Sequence, residues 1–258
     1  NIVIPEPNPE KILHLIQTEK IETAFMVPAL IQFILNHPDA AKTDFSSLRQ
    51  IVYGASPISE DTLIRAIEVI GCEFWQVYGL TETSGIGTTL APECHDPLSG
   101  KLRSCGKKYS GVDIKIVDQK GAEVFPGEVG EITIKSSVVM KGYWNRDEAN
   151  KESIIDGWFY SGDAGYFDED GFLFIYDRVK DMIISGGENI YPAEVENALM
   201  HHPDVIDAAA VGVPDDKWGE TVKGFVVLKK DSKVRESDLI AATKNLIASY
   251  KCPSSINF

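Results

Sequence analysis

The sequence predicts a mixed α/β chain in three parts: part of a parallel α/β subdomain over residues 1–102, a small antiparallel β-barrel subdomain over 103–177, and a small α+β C-terminal domain over 178–258. Three observations predict it. Up to about residue 102, apolar strand-like runs alternate with helix-like ones, the βαβ pattern of a parallel sheet. Between Arg103 and Tyr176 the runs shorten and are separated by Lys120-Gly121, Pro126-Gly127 and Asp170-Gly171, which is the turn chemistry of antiparallel strands. Past Arg178 the texture returns to strands mixed with helices, behind a short charged link at Asp177 to Lys180 that suits a hinge.

The elements follow in order. Asn8 can cap a helix that starts at Pro9 and carries Ile12, Leu15 and Ile16 on one face. A strand is expected at Thr23 to Val27, a helix from Pro28 through Leu35, and a second strand at Leu48 to Tyr53. Ser59 caps a helix ended by Gly71, and Glu73 to Tyr78 forms a third strand. In the last third, strands are expected at Asp181 to Ile184, Val205 to Val213 and Thr221 to Leu228. Helices are expected at Pro192 to His201 and Ser237 to Tyr250.

Composition excludes several function classes. With 258 residues, 43% of them apolar and 25% charged, the chain carries enough apolar side chains for real cores and is not intrinsically disordered. The 25 Lys and Arg against 39 Asp and Glu leave a net charge of −14, which argues against a nucleic-acid partner. Cys72, Cys94, Cys105 and Cys252 form no CxxC pair, so neither a zinc ribbon nor a disulfide framework is expected, and a reducing cytoplasm fits best. The most apolar stretch, Thr23 to Leu35, is too short to span a bilayer and is broken by Pro28 and Gln32. Peripheral membrane contact stays open. His201-His202 lies at a helix end before Pro203, where a favourable dipole position accounts for it without a metal.

Three segments can carry chemistry. Tyr78-Gly79-Leu80-Thr81-Glu82-Thr83-Ser84-Gly85-Ile86-Gly87 leaves the carboxyl end of an expected parallel strand, where ligands bind in open α/β sheets. Hydroxyls of Thr81, Thr83 and Ser84 can hold phosphate oxygens, Glu82 can hold Mg²⁺, and Tyr78 offers a flat face for a base. A glycine-rich turn with a helix cap reads the same way. In Tyr160-Ser161-Gly162-Asp163-Ala164-Gly165, one carboxylate can accept from both hydroxyls of a ribose, with the Arg178 guanidinium as a partner; a plain β-turn and a surface charge cluster are the bland alternatives. Ser185-Gly186-Gly187-Glu188-Asn189-Ile190-Tyr191-Pro192 is a turn feeding a helix, with adjacent glycines that leave a gap where side chains would be.

Taken in order, these segments resemble the adenylate-forming superfamily, and within it the acyl-CoA synthetases. The resemblance rests on four motifs spread over essentially the whole chain: Tyr78 to Glu82 (YGLTE), Gly127 to Tyr143 (GEVGEITIKSSVVMKGY), Tyr160 to Gly165 (YSGDAG) and Asp177 to Glu196 (DRVKDMIISGGENIYPAEVE). It implies a two-step ligase using ATP, Mg²⁺ and CoA. A carboxylate attacks the α-phosphate to give acyl-AMP and pyrophosphate, and the CoA thiol then displaces AMP. By motif, Thr81 contacts phosphate, Glu82 binds Mg²⁺, Tyr78 stacks on adenine, and Gly79 belongs to the same nucleotide turn. Gly54-Ala55-Ser56-Pro57 lines the adenine and acyl pocket, and Gly85 and Gly87 border the acyl chain. Asp163 and Arg178 hold the ribose, Lys180 is the hinge about which the small domain rotates, and Gly186 with Gly187 lines the pantetheine tunnel.

Two departures from the family pattern accompany these matches. A TSGTTGxPKG-type phosphate loop does not occur, and the lysine of the C-terminal Pro-Ser/Thr-Gly-Lys motif does not follow Tyr250-Lys251-Cys252-Pro253. The expectation is therefore an internal fragment of a ligase, inactive on its own, whose parent acts on medium- or long-chain fatty acids. Gly85, Gly87 and the apolar helix Ala29 to Leu35 motivate that chain length. An aryl acid, a carrier-protein acceptor in place of CoA, and a non-catalytic nucleotide-binding remnant are the alternatives. A truncated parallel sheet would also expose an edge, giving a poorly behaved monomer or an adventitious dimer.

Overall fold

In the computed structural model, which describes residues 1–258, the Asn8 side chain accepts the Lys11 amide at 3.0 Å and opens α1 (Pro9–Thr18). The chain continues through β1 (Thr23–Met26), α2 (Pro28–Asn36), β2 (Gln50–Gly54), α3 (Glu60–Ile70) and β3 (Glu73–Tyr78). The Ser59 hydroxyl caps α3 through the Thr62 amide, and Gly71 closes it in the left-handed region at φ +70°. Strands β1, β2 and β3 pair in parallel, with Thr23 opposite Gln50 and Gln50 opposite Glu73. The parallel run stops there: β4 (Thr88–Leu90) returns antiparallel beside β3, and the two-residue β5 (Lys107–Lys108) pairs with β4. The turn after β3 reverses the chain within ten residues, too few for a crossover helix.

α1, α2 and α3 bury Ile12, Leu13, Ile16, Ile31, Ile34, Leu35 and Leu63 against Ile51, Tyr53 and Phe74 of the sheet. Each such fully buried aliphatic side chain stabilises the fold by roughly 1.5–3 kcal/mol. β1 stands at one end of the sheet order, with Phe25 67% exposed.

The middle part follows as β6 (Val112–Val117), β7 (Gly130–Ser136), α4 (Asp147–Ser153), β8 (Ile154–Ile155), β9 (Trp158–Phe167) and β10 (Leu173–Arg178). The sheet is open rather than a closed barrel. Its order is β10-β9-β7-β6, and β8 adds only a two-residue hairpin onto β9. Closing a sheet on itself requires tilted strands and a matched shear, and four full strands plus a stub leave β6 and β10 at separate edges. Its apolar side packs Ile114, Ile116, Ile132, Ile134 and Leu173 with Tyr78 and Cys105. The turns foreseen at Gly121, Gly127 and Gly171 all place the glycine at positive φ.

The last third comprises β11 (Ile183–Ser185), β12 (Glu188–Ile190), α5 (Pro192–Met200), β13 (Val205–Asp215), β14 (Gly219–Leu228), α6 (Glu236–Thr243) and β15 (Ser255–Asn257). The sheet order is β12-β11-β14-β13, with β15 parallel beside β14. Val195 and Leu199 of α5 and Leu239 of α6 pack on Ile183, Val222, Val226 and Ile256.

Two sequence expectations shift here. Val179–Asp181 is a 3₁₀ turn, so the strand expected from Asp181 begins at Ile183. The helix expected over Ser237 to Tyr250 ends at Thr243, whose hydroxyl bonds back to the Leu239 carbonyl. The amides of Leu246 and Ile247 then both turn onto the Thr243 carbonyl, and a 3₁₀ turn at Ser249–Lys251 brings the chain round to β15.

By its contacts the chain divides into two compact units, residues 1–161 with 166–175, and residues 162–165 with 176–258. No helix is long and apolar enough to cross a membrane. The four cysteines are all free thiols.

One buried polar pair tests the first unit. His95 is 6% exposed; its Nδ1 lies 2.9 Å from the Ala91 carbonyl and its Nε2 lies 3.0 Å from the Tyr53 hydroxyl. A carbonyl only accepts, so Nδ1 carries the proton and Nε2 accepts from the phenol. Burial holds the imidazole below its ordinary pKa, with the Ala91 bond opposing, and burial pushes the Tyr53 phenol up. The unfolded chain therefore takes up the His95 proton first as pH falls. Stability from this pair is complete above about pH 6.5 and declines below it. Tyr53→Phe strands Nε2 without a donor and should cost about 1–3 kcal/mol in urea unfolding at pH 7.5, with the wild-type stability falling between pH 7 and 5.

Candidate functional site

The first unit gathers its chemistry at the carboxyl ends of β2 and β3, the parallel neighbours in which Gly54 faces Val77. After β2 the chain turns through Ala55, which takes φ +70°, and carries Ala55, Ser56 and Pro57 outward into exposed positions ahead of α3.

After β3 a short closed loop forms. A Cβ at Gly79 would lie 2.3 Å from the Gly85 carbonyl carbon, so the two backbone segments of the loop touch where any larger residue would part them. Thr81–Thr83 makes one 3₁₀ turn, and Ser84 and Gly85 follow in the left-handed region at φ +55° and +74°. Gly87 then packs under the Tyr78 carbonyl, 2.8 Å from where its Cβ would be. The smallness of Gly79 and Gly87 thus has a packing cause inside the loop itself.

The three hydroxyls of this loop separate. Thr83 is fully buried, accepts the Leu80 amide at 3.0 Å and donates to the Leu80 carbonyl at 3.1 Å, so it closes the turn and cannot reach a phosphate. Ser84 donates to the Val138 carbonyl at 3.1 Å. Thr81 remains exposed, next to the half-buried Glu82. The Tyr143 hydroxyl donates to Glu82 Oε1 at 2.8 Å, and the Met140 amide donates to the Glu82 carbonyl at 2.7 Å. Tyr78 is 8% exposed and shares the apolar cluster of the middle sheet, so only its rim reaches solvent. Of the apolar helix Ala29 to Leu35, Ile31, Ile34 and Leu35 are spent on the core of this unit.

The second unit holds the remaining residues. Asp163 is 6% exposed and Arg178 is half-exposed, with Arg178 Nη1 2.8 Å from Asp163 Oδ1. Gly162, at φ +72°, lies between them in the sense that a Cβ there would come within 3.3 Å of Arg178 Nη2. Asp177, at the end of β10, accepts the Ala193 amide of the first turn of α5 at 2.8 Å. Lys180 is exposed within the 3₁₀ turn. Gly186, at φ +61°, donates its amide to the Trp218 carbonyl at 2.8 Å, and a Cβ there would meet the indole at 2.8 Å. Gly186 belongs to a shallow groove of about 340 Å³ that also includes Ser185, Glu188, Trp218, Lys244 and Tyr250. Gly187, at φ +89°, has open space around its Cα. His201 and His202 are occupied locally, near the Asn197 carbonyl and the Asp204 amide.

Sequence reading named Tyr143 only as the end of a motif and gave Asn150 and His95 no part. Tyr143 and Glu82 are 61 residues apart, and no local pattern joins them.

A Gly79→Ala variant should force the loop apart at Gly85 and cost about 1–3 kcal/mol in chemical denaturation, as overpacking does. Gly187→Ala, in open space, pays only the positive-φ strain and should cost less.

Comparison with known proteins concerns the chain as a whole. Residues 1–144 match the family model of the AMP-binding enzymes, and residues 194–258 match that of the AMP-binding enzyme C-terminal domain. The chain is 43% identical over 244 residues to a fatty acid–[acyl-carrier-protein] ligase, ScoC, of Streptomyces coeruleorubidus, covering 95% of this chain and 47% of that protein. It is 41% identical to a feruloyl-CoA synthase of an Amycolatopsis species, covering 97% and 50%. Among solved structures, the O-succinylbenzoate coenzyme A synthetase of Bacillus subtilis in complex with ATP and magnesium ion superposes with a TM-score of 0.83 at 37% identity, covering 96% of this chain and 50% of that one. The chain spans about half the length of the relatives it matches. With a family model matching more than half its residues, the chain belongs to the AMP-binding enzyme family.

Proposed function

We propose that this chain supplies part of the site of an ATP-dependent acid–thiol ligase. In the first step a carboxylate oxygen of the acid bonds to the α-phosphorus of ATP and pyrophosphate leaves. In the second the CoA sulfur bonds to the acyl carbon and AMP leaves. Both partners of the first step are anions, so the work of the site is to hold them in line and neutralise charge. The observation that carries the reading is the Thr81–Glu82 pair, presented at the carboxyl ends of parallel strands, where open α/β sheets bind ligands.

In this reading Thr81 donates to phosphate and Glu82 ligates Mg²⁺. The donor set fits: a single carboxylate beside a hydroxyl offers hard oxygen ligands, and no cluster of three or more His, Cys, Asp or Glu side chains competes as a metal cage. Mg²⁺ is commonly held in this way, by one or two carboxylates plus substrate phosphates. When bound, it would offset phosphate charge. The turn from the buried Gly54 to the exposed Ala55, Ser56 and Pro57 and the rim of Tyr78 flank the adenine, with Gly79 keeping the loop closed, while Gly85 and Gly87 border the acyl group. Asp163 accepts from the ribose hydroxyls and Arg178 steadies its carboxylate. Lys180 is the hinge, and Gly186 with Gly187 offers backbone to pantetheine.

For the acid, a medium- or long-chain fatty acid is the first proposal and an aryl acid such as a ferulate-like one the second; the ScoC and feruloyl-CoA synthase relatives support one each. The ScoC relative also supports a second acceptor, the phosphopantetheine arm of a carrier protein.

Two measurements test this. A stable acyl-AMP analogue at about a hundredfold excess over its Kd should stabilise the chain by about 2.7 kcal/mol, seen as a saturable rise in Tm that Asp163→Ala abolishes. No rise in the unsubstituted chain would overturn a site formed by these residues. In the full-length gene product, acid- and CoA-dependent release of AMP is expected with fatty acids; product formation indifferent to CoA but dependent on a carrier protein would select the second acceptor.

A further inference from the structure

Residues 138–143 are sutured to the Thr81–Ser84 turn by three hydrogen bonds of different kinds. The Met140 amide bonds the Glu82 carbonyl at 2.7 Å and the Ser84 hydroxyl bonds the Val138 carbonyl at 3.1 Å. The first joins backbone to backbone and the second joins a side-chain hydroxyl to backbone. The third, from the Tyr143 hydroxyl to Glu82 Oε1 at 2.8 Å, reaches the side chain.

The Tyr143 backbone is itself anchored. The Asn150 side chain, from α4, accepts the Tyr143 amide on Oδ1 at 2.6 Å and donates from Nδ2 to the Tyr143 carbonyl at 3.0 Å. Gly142 wraps so closely round this amide, at φ +145°, that a Cβ would lie 2.9 Å from Asn150 Oδ1. A phenol carried on an anchored backbone thus holds one oxygen of a half-buried carboxylate.

We propose that Tyr143 is a positioning residue for Glu82, fixing the carboxylate in one rotamer so that Oε2 is presented to the divalent cation that accompanies the nucleotide. The inference rests on the reading of Glu82 as a cation ligand. A glutamate left to itself samples several rotamers and must give up that freedom when the cation binds. A bond to Oε1 removes the freedom beforehand and leaves lone pairs for the cation, as outer-shell hydrogen bonds do for metal ligands in general. Tight octahedral demands make Mg²⁺ sensitive to such orientation.

The test uses the full-length gene product carrying Tyr143→Phe, which keeps the ring and deletes only the hydroxyl, beside Glu82→Gln and Asn150→Ala. Binding of Mn²⁺ is read by electron paramagnetic resonance in the presence of a non-hydrolysable ATP analogue. Acid-dependent exchange of pyrophosphate into ATP is followed against free Mg²⁺. Tyr143→Phe is expected to weaken Mn²⁺ binding and to raise the Mg²⁺ midpoint by about 10–100-fold, with the rate recovering at saturating Mg²⁺ and the KM for the acid unchanged. Asn150→Ala, which frees the Tyr143 backbone while keeping its hydroxyl, is expected to move both readouts in the same direction by less. A midpoint unmoved in Tyr143→Phe but moved in Glu82→Gln would overturn the positioning role alone. A rate loss in Tyr143→Phe that saturating Mg²⁺ does not restore would do the same, marking a merely structural tyrosine. Mn²⁺ binding and a midpoint unmoved in Glu82→Gln would overturn the cation reading beneath it.

Discussion

The site in the first unit depends on a backbone contact that admits no side chain. Gly79 and Gly85 meet at a distance where a single Cβ would force them apart, and this contact shuts the loop between β3 and β4. Because the loop is shut, Thr83 turns inward to satisfy Leu80, and Thr81 and Glu82 are left facing outward at the ends of the parallel strands. The same closure brings β4 back antiparallel and ends the parallel sheet at β3. Local sterics thus decide both where the sheet changes direction and which polar side chains of the loop stay outside it.

Several buried polar groups elsewhere follow the rule that burial demands a partner. Tyr53 and His95 satisfy each other beneath the Gly54 turn, with the Ala91 carbonyl fixing the tautomer. Asp163 and Arg178 form an ion pair in which the carboxylate is buried and the guanidinium half-exposed. That pairing is both the bland and the functional account, since a carboxylate steadied by an arginine is well placed to accept from a ribose and is also simply satisfied.

The motif residues divide by what holds them. Gly54, Gly79 and Gly87 are explained by backbone proximity within unit one, and Gly186 by the Trp218 indole in unit two. Thr81 and Lys180 are exposed in 3₁₀ turns, and Glu82 is half-buried and held by Tyr143 and the Met140 amide. The chain-length argument from the helix Ala29 to Leu35 loses force, because that face builds the core instead.

Much of the fold was legible in the sequence because its signals are local. Asn8 and Ser59 cap helices, Gly71 ends one, and the parallel order of β1 to β3 follows from alternating helix and strand periods. The ordered motifs at Tyr78, Tyr160 and Asp177 likewise sufficed for the family, since each is a contiguous run. Only the tertiary structure decided what depends on distant pairs. An open middle sheet instead of a barrel turns on whether β6 and β10 meet, and the early end of α6 on the path back to β15. The bond from Tyr143 to Glu82 joins positions 61 residues apart. Periodicity and caps report the energy of a residue with its near neighbours, whereas closure, register between sheets and the aim of a carboxylate are set by contacts that exist only once the chain has folded.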